Sequence, residues 1–257
     1  VTTSPKGRMP GVRHIEFRED RAVQTAVQIL ETAIENFLNR KTEKVFVPKE
    51  TEELVAGFTS ESVYRFLGGT YRATYRPLND AIIAGRLRGA AGVIGCSNPN
   101  VEYEEAHIKM VKELISNDTL VVTTGCNAIS CAKHGLLKPE AAFQYAGKGL
   151  QEVCSAVGIP PVLHVGACVD NSRILRTLSN IVSEGGLGQD ISDLPVAGAA
   201  PEWMSEKAVA IGFYFVGSGV FTCIGHPLPV MGSRNLHQYL TEEIEEETGG
   251  KWAFIRD

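Results

Sequence analysis

No stretch of this 257-residue sequence runs for about 18 apolar residues, so nothing in it reads as a membrane-spanning helix. Basic charge is also short: 25 Lys and Arg stand against 30 Asp and Glu, a formal net charge of −5. That balance argues against a nucleic-acid or anionic-membrane partner, since both require a basic face. The first residues, Val1-Thr2-Thr3-Ser4-Pro5, carry neither an initiator Met nor a basic-then-apolar signal peptide. The expectation from this start is a chain cut from a longer one. Six cysteines without a secretion signal point to a reducing, cytoplasmic compartment, where thiols serve as ligands or core residues.

Several familiar motifs are missing as well. No G-x-G-x-x-G joins a strand to a helix, because Gly217-Ser218-Gly219 lacks the third glycine and Gly185-Gly186-Leu187-Gly188 closes a helix. There is no phosphate-binding G-x-x-x-x-G-K-[ST] and no G-x-S-x-G nucleophile elbow. Nucleotide binding and serine hydrolysis therefore lack support. Internal repeats and low-complexity tracts are absent too, and the acidic run 242–247 reads as a solvated helix face.

What is present is an alternation of short apolar strands and amphipathic helices, in a chain long enough for one large domain or two small ones. His14–Phe17 reads as a strand and residues 21–39 as a helix with one apolar stripe. A polar stretch near residue 50 suggests a boundary, dividing 1–50, the end of a preceding α/β domain, from 51–257. Helices are expected at 61–67, before Gly68-Gly69, and at 77–87. Strands are then expected at 92–95, 120–124, 161–165, 194–199, 220–224 and 252–255. The helices between them fall at 102–116, 128–133, 139–157, 171–183, 205–216 and 236–248. The fold class is α/β, a Rossmann-like, mostly parallel sheet with helices on both faces.

Three cysteines hold equivalent places in this alternation. Cys96, Cys126 and Cys168 each lie just past a predicted strand and ahead of a helix, and parallel strands deliver such positions to one edge. Thiolates near helix amino ends are electrostatically favoured. Three soft donors without a hard-oxygen cage suit iron–sulfur, zinc or copper(I) rather than magnesium or calcium. Cys131, Cys154 and Cys223 read as structural, with Cys131 and Cys223 placed where they could also stand behind the ligating thiols. Cys223-Ile224-Gly225-His226 resembles half of a zinc site without the other half. His164 reads as a satisfied strand histidine, and His107, His134 and His226 have no ligand partner at useful spacing.

The stretches Gly95-Cys96-Ser97-Asn98-Pro99, Val121–Cys126, Ala132–Leu137, Gly166–Arg173 and Ala200–Ala208 together resemble the nickel-dependent carbon monoxide dehydrogenases, as does the chain from Thr3-Ser4-Pro5-Lys6 onward. The resemblance implies a NiFe₄S₄-type cluster that reversibly oxidises CO with water to CO₂, two protons and two electrons. It further implies that Cys96 and Cys126 each hold an iron and Cys168 the nickel. Lys207 would hydrogen-bond the bound carboxylate and assist proton transfer, and Ile211 would crowd the CO position. From its own context Lys207 is an ordinary exposed helix lysine. In the family a histidine and two more cysteines come from a preceding domain, and further 4Fe-4S clusters from amino-terminal cysteines. None of these stands upstream of Cys96 here, so the isolated chain is expected to be inactive. The implied partners are a ferredoxin-like electron acceptor and a second copy of the chain, with or without an acetyl-CoA synthase. Two alternatives are a hybrid-cluster reductase, whose cluster has iron and no nickel, and a clusterless α/β interaction module.

Overall fold

A computed structural model of the chain describes residues 1–3, 7–68, 74–225, 230 and 232–254. It divides into two compact units, Val1–Glu52 and Glu53–Asp257. The first contains helix α1 (Ala22–Phe37). The strand expected at His14–Phe17 does not form: among the described residues this stretch makes a single isolated bridge, Thr2 to His14.

The second unit opens with helices α2 (Ser60–Gly68) and α3 (Arg76–Ile83). Pro77 sits in the first turn of α3, where its missing N–H costs nothing. Six strands and their crossovers follow. These are β1 (Gly89–Val93), α4 (Glu105–Ser116), β2 (Thr119–Thr123), α5 (Gly125–Lys133), α6 (Ala141–Tyr145), α7 (Lys148–Val157), β3 (Val162–His164) and α8 (Ser172–Glu184). The chain then continues through β4 (Val196–Ala200), α9 (Glu206–Gly217), β5 (Phe221–Ile224), α10 (Arg234–Gln238), α11 (Ile244–Thr248) and β6 (Trp252–Phe254). Residue 255, expected to end the last strand, and Gly69 and His226 lie outside the described residues.

All strand pairings are parallel, in the order β3-β2-β1-β4-β5-β6. Such an order reverses direction between β1 and β4, and right-handed crossovers then place the helices of each half on opposite faces. Packing agrees, since α4 lies on β1 and β2, whereas α9 lies on β4 and β5. The two central strands are built of small residues, Gly89-Ala90-Ala91-Gly92-Val93 and Val196-Ala197-Gly198-Ala199-Ala200. Propensity alone disfavours this, but space decides it. A Cβ on Gly92 would stand 3.8 Å from both Ile174 of α8 and Phe215 of α9, so two helices share the ground above one residue.

Two expected helices differ in detail. Residues 139–157 form α6 and α7 with a break at Ala146-Gly147, where Gly147 lies so close to Asp118 that a Cβ would come within 2.3 Å of its carboxylate. Asp118 repays the break by accepting from the Leu150 N–H (2.9 Å) in the first turn of α7. Between α10 and α11 the segment Tyr239–Glu243 widens into a π-helical turn. Core residues Val111, Ile115, Leu150 and Val162 are all fully buried. Leu150→Ala is expected to cost about 2–5 kcal/mol. A lower denaturation midpoint at unchanged slope in urea would register that loss.

Candidate metal centre

The last residues of three adjacent strands are direct partners. Val93 pairs with Thr123, and Thr123 pairs with His164. The chain therefore leaves β1, β2 and β3 from one level, and Cys96, Cys126 and Cys168 follow three, three and four residues later. All three are free thiols of intermediate exposure. Cys126 lies in the first turn of α5, and Cys168 opens a short 3-10 turn (Cys168–Asp170) ahead of α8. Cys96 departs from the expected pattern. Its helix starts only at Glu105, after turns near Pro99 and a left-handed Glu104 (φ 64°), so Cys96 belongs to a loop rather than a helix end.

The three loops are tied together by backbone and amide bonds. Asn127, buried beside Cys126, donates from Nδ2 to the Val93 carbonyl (2.9 Å) and to Thr123 Oγ1 (2.8 Å). Gly125 N–H donates to the Gly166 carbonyl (3.1 Å), and Thr124 Oγ1 donates to Asn171 Oδ1 (2.6 Å). Gly125 has φ +57°, and a Cβ there would meet the Cys168 sulfur at 2.4 Å. Glycine is required on both counts. The Cys168 turn is braced in its own right, by Ala167 N–H to Asp170 Oδ2 (2.8 Å) and by the Arg173–Asp170 ion pair (3.1 Å).

The Cys96 loop is fastened from the other side, across the point where strand order reverses. Ile94 N–H reaches the Ala199 carbonyl (2.8 Å), and Cys96 N–H reaches the Glu202 carbonyl (2.9 Å). His107, fully buried on α4, donates from Nε2 to the Cys96 carbonyl (3.1 Å). Burial pushes this imidazole below its ordinary pKa, and the Cys96 carbonyl and the Glu202 and Glu104 charges only partly oppose it. Glu104 is buried too and pairs with Lys133 (2.7 Å). Burial alone would raise its pKa, but hydrogen bonding and charge from Lys133 outweigh that and hold it below the usual carboxylate range.

Lys207, second residue of α9, is solvent-exposed and makes no ion pair among the described residues. Ile211, one turn on, is half-buried and lines an apolar crevice with Ile94, Ala208, Gly212 and Phe215. The remaining thiols are of another kind. Cys131 and Cys154 are buried, and burial drives both to about 12, which leaves them inert. Cys223 is half-buried and also raised by burial. His164 is satisfied, its Nδ1 accepting from the Gly57 N–H (3.0 Å). Sequence reasoning passed over His107 and gave Glu202 no role. Ligand spacing carries no sign that a histidine holds a carbonyl, or that a carboxylate four residues before a helix is buried.

Three partly exposed thiols following adjacent strand ends are soft donors of the kind that iron–sulfur and other soft-metal centres use. Among the described residues, no three His, Cys, Asp or Glu side chains stand together as a ready site for a metal ion.

The sequence matches the Prismane/CO dehydrogenase family over residues 1–257. It is 53% identical, over its full length, to carbon monoxide dehydrogenase 1 of Methanosarcina mazei, 40% of whose length is covered. Among solved structures it resembles a nickel-free carbon monoxide dehydrogenase from Thermococcus sp. AM4 produced without the CooC maturase. The TM-score is 0.83 at 49% identity, covering 99% of this chain and 39% of that one. An acetyl-CoA synthase/carbon monoxide dehydrogenase, described with NiZn[Fe4S4] and NiNi[Fe4S4] clusters in its alpha subunits, gives 0.83 at 35% identity over 98% of this chain and 39% of its own. This chain thus spans about two fifths of the relatives it matches.

Two outcomes are expected. Native-state thiol labelling should modify Cys96, Cys126 and Cys168 well before Cys131 and Cys154, which react only on unfolding; peptide mass spectrometry reads the order. Glu104, with its depressed folded pKa, contributes stability above the ordinary carboxylate value that is lost as pH falls through the folded one. Lys133→Met removes the depressing charge, so the acid-unfolding midpoint should move to higher pH in circular dichroism.

Proposed function

This chain belongs to the Prismane/CO dehydrogenase family, and on that footing we propose that it is the ligand-bearing C-terminal part of a catalytic subunit oxidising carbon monoxide. The reaction is CO + H₂O → CO₂ + 2 H⁺ + 2 e⁻, run reversibly. The observation that supports this reading most is the in-register ending of β1, β2 and β3, each followed at once by a partly exposed cysteine. When bound, a nickel–iron–sulfur cluster would supply the redox chemistry and accept the electron pair. Cys96 and Cys126 would each hold an iron, and Cys168 the nickel.

The chain's own residues do the rest. Lys207 Nζ, solvent-exposed in the first turn of α9, is the group that would hydrogen-bond the bound carboxylate and carry its proton. Ile211 narrows the apolar approach and excludes water from one side. Residues 1–50 would be the end of a preceding domain, which would bring the remaining ligands. Electrons pass to a ferredoxin-like acceptor, and the subunit works as a homodimer, alone or with an acetyl-CoA synthase.

The test is made on the full-length subunit carrying this sequence, purified without oxygen, with nickel, iron and CO-dependent dye reduction measured together. Cys168→Ala should lose nickel, and Cys96→Ala and Cys126→Ala should lose the cluster. Lys207→Ala should keep both metals while kcat falls by about 10²–10⁴, the usual span for removing a proton-transfer group. Iron without nickel in the unaltered subunit would overturn the reading.

A further inference from the structure

Glu202 is 1% exposed, yet it lies in the loop between β4 and α9 rather than in the hydrophobic core. A carboxylate in that position is costly unless it binds something. Its main-chain carbonyl takes the Cys96 N–H (2.9 Å), and its Oε2 takes the N–H groups of Asn98 and Glu104 at 3.4 Å each. Asn98 returns the contact, donating from Nδ2 to the carbonyl of Trp203 (3.1 Å). One residue thus grips the Cys96 loop at its start, its middle and its end. His107 holds the same loop by the Cys96 carbonyl, so both main-chain polar groups of Cys96 are occupied.

The fit around this grip is close. Gly95 has φ +133°, and a Cβ there would fall 2.1 Å from the Glu202 carbonyl oxygen and 3.0 Å from His107 Cε1. Glu202 Oε1 and His107 Nδ1 are both buried with no hydrogen-bond partner among the described residues. Native proteins rarely leave such buried polar atoms unpaired without a role. General stability would be served as well by an apolar residue. A carboxylate offers what an apolar residue cannot, an acceptor for main-chain N–H groups on a loop that has no helix to organise it.

The far end of the same loop matters equally. Four residues beyond Glu202 begins α9, which carries Lys207 and Ile211. Glu202 therefore joins the segment bearing the first thiol to the segment bearing the lysine, across the reversal in strand order. We propose that Glu202 is a positioning residue, fixing the Cys96 loop against the start of α9 so that thiol and lysine keep one spacing. This rests on the reading of Cys96 and Lys207 given above. Glu202 touches neither substrate nor metal in this scheme and acts through Cys96.

Two measurements test it. In the full-length subunit carrying this sequence, freed of metal, alkylation of each of these cysteines is followed by peptide mass spectrometry for the native sequence, Glu202→Ala and Glu202→Gln. Glu202→Ala should speed modification of Cys96 about tenfold, the factor that 1.4 kcal/mol represents, with Cys126 and Cys168 unchanged. Glu202→Gln keeps an acceptor oxygen and should restore the native rate. An unchanged Cys96 rate in Glu202→Ala overturns the proposal. So does a rise shared by Cys131 and Cys154, which would mean loosening of the whole fold.

The second measurement uses the full-length subunit. Glu202→Ala should retain iron and nickel, lower kcat with little change in KM, and alter the electron paramagnetic resonance line shape of the cluster, with Glu202→Gln close to native in all three. Native line shape and kcat in Glu202→Ala would also overturn it. If instead the unaltered subunit lacks nickel, the functional reading fails, and the alkylation result still decides whether Glu202 holds the loop.

Discussion

Parallel pairing of β1 with β2 on one side and β4 on the other is the constraint from which the site follows. Because Val93, Thr123 and His164 are successive partners in the sheet, the chain emerges from three strands at one height. Ala199 pairs with Val93 from the opposite side and brings the approach to α9 to the same height. No side chain has to reach far. Register, a property of main-chain hydrogen bonds, sets where the sulfurs start, and a slip of one residue would move a strand's side chains to the opposite face of the sheet.

That pairing in turn depends on the small residues of the two central strands. Glycine and alanine make poor strands in isolation, yet here they let α8 and α9 settle near the sheet beside the point where strand order reverses. The stability lost in β propensity is offset by burial of Ile174, Phe215 and their neighbours, at roughly 25 cal/mol per Å² of apolar surface. A wider sheet centre would push α9, with Lys207 and Ile211, away from the strand ends.

Much of this was legible in the sequence. The alternation of apolar strands and amphipathic helices announced the class of fold, and the placing of three cysteines after three strands agrees with strand ends that the sheet brings to one level. Periodicity could not see that Gly147 must break a helix to let Asp118 in, nor that His14–Phe17 makes only an isolated bridge among the described residues, since both depend on residues distant in sequence. It also put a helix too near Cys96, because the left-handed turn at Glu104 that delays α4 carries no glycine to announce it. The buried pair of His107 and Glu202 was equally hidden. Charged and imidazole side chains read as surface until packing shows otherwise.

The seating of the Cys168 sulfur against Gly125 has a mechanical consequence. With no side chain between them, the second and third cysteine loops are nested like adjoining gear teeth, and Cys126 is the very next residue. Any shift in the backbone before α5 is felt directly at the sulfur ahead of α8, and the reverse holds as well. Two loops so engaged cannot shift independently of one another. The Cys96 loop is held differently, across the reversal in strand order by the Ala199 and Glu202 carbonyls.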